Sequence, residues 1–174
     1  MIDLTPLDDP FGSALRGRHA VFARSHGSAI AYVPDVSVFY AHPASPTPDD
    51  YADLAALAGP GHTIGLRGVT TPIPDQWTRL ETWDLVLYSG EHVAGCPDPE
   101  LTVLTTDDVP EMTALVELTK PGPFLPRTIE LGSYLGYRDP ESGRLLAMAG
   151  ERSKPDGWTE ISAVCTHPDA RGRG

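Results

Sequence analysis

The stretch from Thr159 to Gly174, TEISAVCTHPDARGRG, decides how this chain folds. Its first part, Glu160 to Thr166, is mostly apolar and contains β-branched residues, which predicts a strand. A His-Pro turn follows, and then Arg-Gly-Arg-Gly, whose glycines allow bare backbone N–H groups to close around a diphosphate. Arginines in such a turn add paired donors that suit phosphate oxygens. The sequence therefore predicts a strand that leads into a phosphate-binding loop.

A strand, a helix and a three-strand meander are predicted in the second half of the chain. Leu101–Leu104 has the pattern of a strand, and Asp107 or Asp108 then caps a helix whose apolar residues recur with a period of 3.6. The segment 119–124 ends this helix, because two prolines and a glycine cannot continue it. Turns rich in proline and glycine separate three further predicted strands: Ser133–Tyr137, Arg144–Gly150 and Thr159–Thr166.

This order of elements and the final loop resemble the acyl-CoA-binding half of the GNAT superfamily of N-acyltransferases. In that family a splayed central strand leads to an Arg/Gln-x-x-Gly-x-Gly/Ala loop at the start of a helix. Residues 169–174 here read DARGRG, with Asp169 in the place of the usual Arg or Gln. The segments TKPGPF, AMAGER and EISAVCTHP are similar to the glycine-acyltransferase branch. The resemblance covers residues 101–174 and implies an α/β protein of the α+β kind, with a mixed, mostly antiparallel sheet and flanking helices.

The first 88 residues are predicted to form a smaller, divergent α/β unit. Helical patterns cover residues 7–23 and 46–58. Strands are predicted at four places: Ala29–Val33, Val36–Ala41, His62–Leu66 and Trp83–Tyr88. Residues 89–100 are poor in large apolar side chains and rich in glycine, proline and acidic residues, which predicts a linker. We therefore expect an N-terminal α/β domain (1–88), a linker (89–100) and the first part of a GNAT domain (101–174).

The resemblance implies transfer of an acetyl or other acyl group from acetyl-CoA to an amine, which attacks the thioester directly in a ternary complex. By motif position, the main chain of Val164, Cys165 and Thr166 would pair with the pantetheine arm. The diphosphate would be held by backbone N–H groups of Arg171, Gly172, Arg173 and Gly174. The alternative is a non-catalytic module that binds acyl-CoA or a partner protein through a degenerate form of the fold.

Glu160 is the leading candidate for the group that accepts the proton of the amine. Many family members place a carboxylate near the start of this strand, where it can attract a charged amine and relay its proton. Glu151, at the end of the preceding strand, competes with Glu160 for the same role. Glu151 and Phe124 are also candidate substrate-binding residues, and Phe124 in the Pro-Gly-Pro-Phe loop could form an aromatic wall. Each role has a purely structural alternative. Glu160 would then be a surface glutamate at a strand end, and Phe124 would be packed in the core.

Composition and charge limit the kinds of molecule that this protein is expected to bind. The net charge of −11, from 13 Lys and Arg against 24 Asp and Glu, disfavours binding to nucleic acid or an anionic membrane. No run approaches the roughly 18 consecutive apolar residues that a membrane helix needs. No secretory signal is visible, so a cytoplasmic protein is expected. Cys96 and Cys165 lack metal-like spacing, which predicts two reduced cysteines and no metal.

The end of the chain carries a further expectation. Family members continue past the glycine loop with its helix, and this helix contributes donors and dipole to the phosphate cradle. The resemblance therefore implies that residues 1–174 are the N-terminal part of an acyltransferase and are inactive by themselves. The expected substrate is a small-molecule amine or an N-terminal amine, and a homodimer is left open.

Overall fold

The structure is a computed structural model, and it describes residues 2–69 and 71–172. Within these ranges the chain forms three α-helices: α1 (Pro10–Arg16), α2 (Pro48–Ala58) and α3 (Val109–Thr119). An antiparallel sheet in the N-terminal half contains β1 (Ala23–His26), β2 (Ala29–Tyr32) and β3 (Tyr40–Ala41), in that order. A second antiparallel sheet contains β4 (Leu101–Val103), β5 (Tyr134–Arg138), β6 (Leu145–Ser153) and β7 (Glu160–Thr166).

The predicted order of strand, helix and meander in the second half is confirmed. Strands β4 to β7 lie side by side in chain order, and each pairs antiparallel with its neighbour. Helix α3 packs on one face of this sheet. The core between them is formed by buried side chains from the helix, the sheet and the nearby turns: Leu104, Met112, Leu115, Val116, Ile129, Tyr134, Leu145, Met148 and Cys165. The mixed α+β fold class with antiparallel sheets is therefore the one that the sequence predicts.

Local signals fix both ends of α3. Thr105 and Asp108 form reciprocal side-chain-to-backbone hydrogen bonds ahead of the helix, which satisfy N–H groups that would otherwise lack a partner. The hydrogen bond from the Thr105 backbone lowers the pKa of Asp108 despite some burial. Lys120 ends the helix in the left-handed region, with a φ of 53°, and donates its N–H to the Val116 carbonyl. The predicted break after Thr119 is therefore confirmed.

The start of the N-terminal unit differs from the prediction. One helix over residues 7–23 is wrong, because α1 ends at Arg16 and β1 begins at Ala23. Gly17 closes α1. Strand β1 then pairs with β2 through a tight turn in which Gly27 has a φ of 53°. A glycine tolerates this left-handed conformation without steric cost, and this allows the hairpin to form.

The remaining N-terminal elements are partly as predicted. Helix α2 and strand β2 are confirmed, whereas the strand expected at Val36–Ala41 is shortened to the two residues of β3. The strands expected at His62–Leu66 and Trp83–Tyr88 are wrong: the first makes one isolated bridge, between Phe39 and Gly65, and the second pairs with nothing in the described chain. An alternating apolar pattern becomes a strand only where a partner strand accepts its backbone hydrogen bonds.

The N-terminal unit packs against the turn before β5 and the end of β6. One buried apolar cluster joins the two parts: Phe11, Leu15, Tyr32, Val36, Ala41 and Leu131. Thr128 donates its hydroxyl to the Val36 carbonyl at 2.8 Å, and the fully buried hydroxyl of Ser153 donates to the Pro10 carbonyl at 3.3 Å. The end of β6 is therefore held by residues from both halves of the chain. Across the described ranges, no helix is long and apolar enough to cross a membrane.

Candidate active site

Strand β7 is the last strand of its sheet, so one of its edges has no strand partner within the described chain. The His167 amide donates to the Leu146 carbonyl at 2.7 Å, and Thr166 lies opposite Ala147. Because peptide groups alternate in direction along an antiparallel ladder, those of Thr166 face away from β6 and those of Cys165 face towards it. Thr166 can therefore offer an N–H and a carbonyl to a ligand that runs along this edge.

A β-bulge interrupts β7 beside this edge. The register shifts between Met148 and Gly150 of β6, so that Ala163 and Val164 together stand opposite one residue. Ala163 has a φ of 52°, in the left-handed region that residues with a side chain adopt only sparsely. The bulge breaks the simple alternation of faces that the sequence suggests. It leaves Val164 66% exposed, while Cys165 is buried in the core under α3.

The two cysteines are free, as the sequence predicts. Burial raises the pKa of the Cys165 thiol, and the hydroxyl of Thr119 only partly opposes this effect. A buried thiol with a raised pKa stays protonated at neutral pH and behaves as a small apolar side chain. The Cys165 side chain therefore acts as part of the core under α3.

The predicted diphosphate loop is described as far as Gly172, and Arg173 and Gly174 lie outside the described residues. The Arg171 N–H donates to the Pro168 carbonyl at 3.3 Å, which is a long hydrogen bond. Gly172 has a φ of 75°, and apart from its chain neighbours no atom of the described residues lies within 4 Å of the place where a Cβ would stand. The backbone around Gly172 is therefore open to close approach by a ligand.

Two side chains next to the loop already make contacts with the backbone. The Nε of Arg171 donates to the Thr166 carbonyl at 3.3 Å, on the open edge of β7. The Nδ1 of His167 accepts the Asp169 N–H at 3.2 Å and so caps the turn at Pro168–Ala170. A ligand that pairs with Thr166 would replace the first contact and release the guanidinium of Arg171. His167 has a structural role in this geometry.

Glu160 lies at the start of β7 with 13% of its side chain exposed. Both of its oxygens are bound by Arg152: Nη2 donates to Oε1 at 2.6 Å and Nε donates to Oε2 at 3.1 Å. Paired charged hydrogen bonds of this kind are among the strongest in proteins. A carboxylate has about four lone-pair positions, so the pair leaves room for a further donor such as an ammonium group.

Arg152 was not identified from the sequence, because its contact with Glu160 depends on the register of the β6–β7 hairpin. It precedes Ser153, which lies opposite Glu160 across the β6–β7 hairpin. Its guanidinium also lies 5.0 Å from the ring centroid of Phe39 and 6.0 Å from that of Phe11. The two rings stack with centroids 4.1 Å apart and an angle of 8° between their planes. The N-terminal unit therefore reaches the residue that binds the candidate base.

Glu151 is also ion-paired, at the other side of the β6–β7 ladder. Its Oε2 accepts the Ser133 N–H at 2.8 Å and lies 2.8 Å from the Nζ of Lys154. Burial acts to raise the pKa of Glu151, but the bonds to Lys154 and Ser133 outweigh it, and the net shift is downward. A carboxyl group held in this way keeps its charge and accepts a proton less readily.

Phe124 lies against the core cluster under α3. Its ring meets that of Tyr134 edge to face, with centroids 5.8 Å apart and an interplanar angle of 78°. Tyr134 is fully buried, and desolvation raises its pKa to about 12. The observed contacts of Phe124 are therefore packing contacts. For metals, the described ranges contain no group of three or more His, Cys, Asp or Glu side chains that could hold an ion.

Comparisons with known proteins support one family. No family profile matches the sequence, and a search of curated proteins found no match. Among solved structures, the fold is similar to the 1.80 Å crystal structure of a protein named as an acetyltransferase from the GNAT family, from Novosphingobium aromaticivorans DSM 12444. The two chains are 30% identical with a TM-score of 0.67, over 97% of this chain and 75% of the other. This chain belongs to the GNAT family of acetyltransferases.

Proposed function

We propose that this protein transfers an acetyl group from acetyl-CoA to an amine, which attacks the thioester directly in a ternary complex. The observation that carries the proposal is the open edge of β7. One strand has a carboxylate, Glu160, at its start and a glycine turn with a cationic side chain, Arg171, at its end. These ends lie about 20 Å apart, since a strand rises about 3.3 Å per residue. Family membership supports acyl transfer, and this edge supports the proposed binding mode.

The acyl donor would bind along the outer edge of β7. The outward N–H and carbonyl of Thr166 fit an amide-bearing arm that adds to the sheet as another strand would. Near the turn, Gly172 allows close approach, and Arg171 offers a guanidinium that suits a diphosphate. The fit is partial within the described residues, because the Arg171 N–H is engaged with Pro168. Binding of acetyl-CoA through Val164, Cys165, Arg173 and Gly174 as well stays a prediction.

At the other end of β7, the amine would meet Glu160. An amine with an ordinary pKa near 10 arrives charged, so the carboxylate first attracts it and then takes its proton, directly or through water. The neutral nitrogen attacks the carbonyl carbon of the thioester. The C–N bond forms, the C–S bond breaks, and the thiolate leaves with the electron pair. The second proton of the nitrogen is released as the amide forms.

The other assignments are part of the same proposal. Similarity of three segments to the glycine-acyltransferase branch favours that branch, with a small-molecule or N-terminal amine as the substrate. Glu151 and Phe124 stay candidate substrate-binding residues, although their present contacts are an ion pair and core packing. The hypothesis also includes a location in the cytoplasm and no nucleic-acid or membrane partner. Residues 89–100 are the proposed linker between two domains.

One observation favours the alternative of a non-catalytic acyl-CoA-binding module. Arg152 binds both oxygens of Glu160, so the carboxylate is engaged in an ion pair that joins β7 to β6. The present geometry would then serve to fix β7 against β6 rather than to accept a proton. In this reading the protein binds acyl-CoA without turning it over.

The test separates binding from turnover, and it uses the full-length protein. We expect saturable binding of acetyl-CoA by calorimetry, and release of CoA thiol that depends on an added primary amine from a panel of small amines and short peptides. Mass spectrometry would identify the acetylated amine, and a reaction without amine is the control. Binding without amine-dependent thiol release would favour the non-catalytic module. Absence of acetyl-CoA binding would contradict both functions.

A further inference from the structure

Arg152 is an unusual residue because its charge lies between a carboxylate and two aromatic rings. Its side chain is 27% exposed, and partial removal of a charge from water is costly unless the charge is paired. The fork to Glu160 supplies one partner. The rings of Phe39 and Phe11 supply a second, because aromatic faces attract cations within about 6 Å.

The fork restricts the orientation of Glu160 more than a single contact would. Two parallel hydrogen bonds fix the plane of the carboxylate as well as its position. Glu151, by comparison, is bound by the single ammonium of Lys154 and one backbone N–H. Of these two candidate carboxylates, Glu160 is the one whose two oxygens are matched to a planar donor pair, which leaves the remaining lone pairs in a defined direction.

Residues of the N-terminal unit hold Arg152 from two sides. Phe39 and Phe11 contact its guanidinium and stack on each other. The next residue along β6, Ser153, is fully buried and donates its hydroxyl to the Pro10 carbonyl, adjacent to Phe11. The backbone and the side chain at this point of β6 are therefore both tied to residues more than 100 positions away in the chain.

We propose that Arg152 is a positioning residue that orients the Glu160 carboxylate, and that Phe39 and Phe11 hold Arg152 in place. The N-terminal unit is then a part of the active site and contributes to turnover without touching the acyl donor. This inference rests on the proposed function, since orientation of Glu160 matters for turnover only if Glu160 handles the amine.

The physical part of the inference can be tested without any activity, by NMR of arginine Nε–H groups in the full chain. We expect a slowly exchanging Nε–H signal for Arg152 that is lost in Glu160→Gln. In Phe39→Leu, which keeps an apolar side chain and removes the ring, the signal should exchange at least several-fold faster. An unchanged signal in Phe39→Leu would overturn the role of the N-terminal unit.

Arg138 provides a matched control. It has the same side-chain exposure, 27%, and it pairs with the carboxylates of Asp108 and Glu111. It lies opposite Leu145, at the start of β6, whereas Arg152 lies near the end of that strand. Arg138→Met removes a comparable ion pair far from Glu160, so the signal of Arg152 should not change.

Kinetics test the catalytic part. Misplacement of a catalytic group by about 1 Å can cost about 100-fold in rate, so Arg152→Met should lower kcat by about 10- to 100-fold with little change in the KM for acetyl-CoA. Arg152→Lys should recover part of this loss, and Phe39→Leu should lower kcat less. Arg138→Met should lower thermal stability without a matching fall in kcat.

The outcomes distinguish this inference from the proposed function. If the protein acetylates an amine but kcat in the Arg152 and Phe39 variants falls no more than in Arg138→Met, positioning is wrong and acyl transfer stands. If the Arg152 signal behaves as expected but no amine is acetylated, acyl transfer and the catalytic role of Arg152 both fail. If Arg152→Met does not fold, Phe39→Leu and Arg152→Lys still decide the question.

Discussion

The role of Glu160 can be tested at the scale of a single residue. In Glu160→Gln, the side chain keeps its shape but can no longer attract an ammonium group or accept a proton. We expect turnover to fall by about 100-fold or more, which is the typical contribution of a general base, while the affinity for acetyl-CoA changes little. Steady-state kinetics and calorimetry on the same preparation would measure the two effects.

The control for this prediction is Glu111→Gln. Glu111, in the first turn of α3, is bound at 2.6 Å by Arg138, which lies opposite the start of β6, so this variant loses an ion pair far from Glu160. Turnover should then stay close to that of the wild type. Equal turnover in Glu160→Gln and the wild type would exclude Glu160 as the base.

A second residue-scale prediction concerns Gly150, which pairs with Tyr134 across β5 and β6. A Cβ at Gly150 would lie 2.2 Å from ring atoms of Tyr134, whose ring is fully buried and cannot move aside. Overpacking of this kind typically costs about 1–3 kcal/mol, so Gly150→Ala should lower the free energy of unfolding by that amount. Urea denaturation would measure it.

Gly95 supplies the comparison. Apart from its chain neighbours, no atom in the described part of the chain lies within 4 Å of the place where its Cβ would stand, and Gly95 lies outside the helices and strands. Gly95→Ala should therefore leave the unfolding free energy within about 0.5 kcal/mol of the wild type, as surface substitutions usually do. A stable Gly150→Ala protein would mean that Tyr134 is less confined than this geometry indicates.

At the scale of elements, a carboxylate in the first turn of α2 makes the free energy of unfolding depend on pH in the acid range. Asp50 accepts hydrogen bonds from the hydroxyl of Ser28 and from the hydroxyl and N–H of Thr47, and these bonds lower its pKa to about 2. Because the pKa of Asp50 is lower in the folded chain, the unfolded chain binds a proton at a higher pH than the folded chain does. The stabilising contribution is therefore complete above about pH 4 and is lost as the pH falls towards 2.

Asp50→Asn removes this contribution, and so the expected result is a shallower loss of stability between pH 4 and 2. Urea midpoints at pH 4, 3 and 2 would show it. Ser28→Ala removes the hydroxyl that contributes most to the shift and should give an intermediate slope. A slope in Asp50→Asn as steep as in the wild type would assign the acid sensitivity to other carboxylates.

Elements with strong local signals were predictable from the sequence. α3 has a capping box and a proline-rich end, and β5 to β7 are separated by turns that glycine and proline define. The errors occurred where distant partners decide the outcome. Residues 7–23 contain a helical pattern, but pairing with β2 draws Ala23 into a strand, and the mostly apolar run Trp83–Tyr88 has no strand partner within the described residues.

The same reason limits prediction of the site. The strand and the glycine loop are contiguous in sequence, so Glu160 and Gly172 could be proposed as candidates directly from the sequence. Arg152 meets Glu160 only through the register of the β6–β7 hairpin, which includes bulges that no local pattern marks. Phe39 approaches Arg152 from more than 100 residues away, and a single sequence contains no signal for that contact.

At the scale of the whole molecule, His19 connects the two halves. Its side chain is buried, with the residue 2% exposed; its Nε2 lies 3.0 Å from the Leu131 carbonyl and its Nδ1 lies 2.9 Å from the Tyr32 hydroxyl. A carbonyl only accepts, so Nε2 carries the proton and Nδ1 accepts from Tyr32. The neutral ring therefore satisfies both partners, and a second proton on the ring would face the hydroxyl that now donates to it.

This arrangement makes the contact between the halves sensitive to pH. Burial lowers the pKa of His19, and the nearby charges of Lys154 and Arg18 add to this, although the Leu131 carbonyl opposes it. The unfolded chain therefore takes up a proton near pH 6.5, whereas the folded chain does so only at lower pH. The contribution of His19 to stability is complete above about pH 6.5 and is lost as the pH falls below that value.

His19→Gln should therefore be less stable at pH 7, because it loses buried hydrogen bonds, yet it should lose less further stability than the wild type between pH 7 and 5.5. Urea denaturation at half-unit steps would measure the slope. His92→Gln changes an exposed histidine outside the helices and strands and should keep the wild-type slope. If the slopes of His19→Gln and the wild type coincide, protonation of the buried ring does not weaken the contact between the halves.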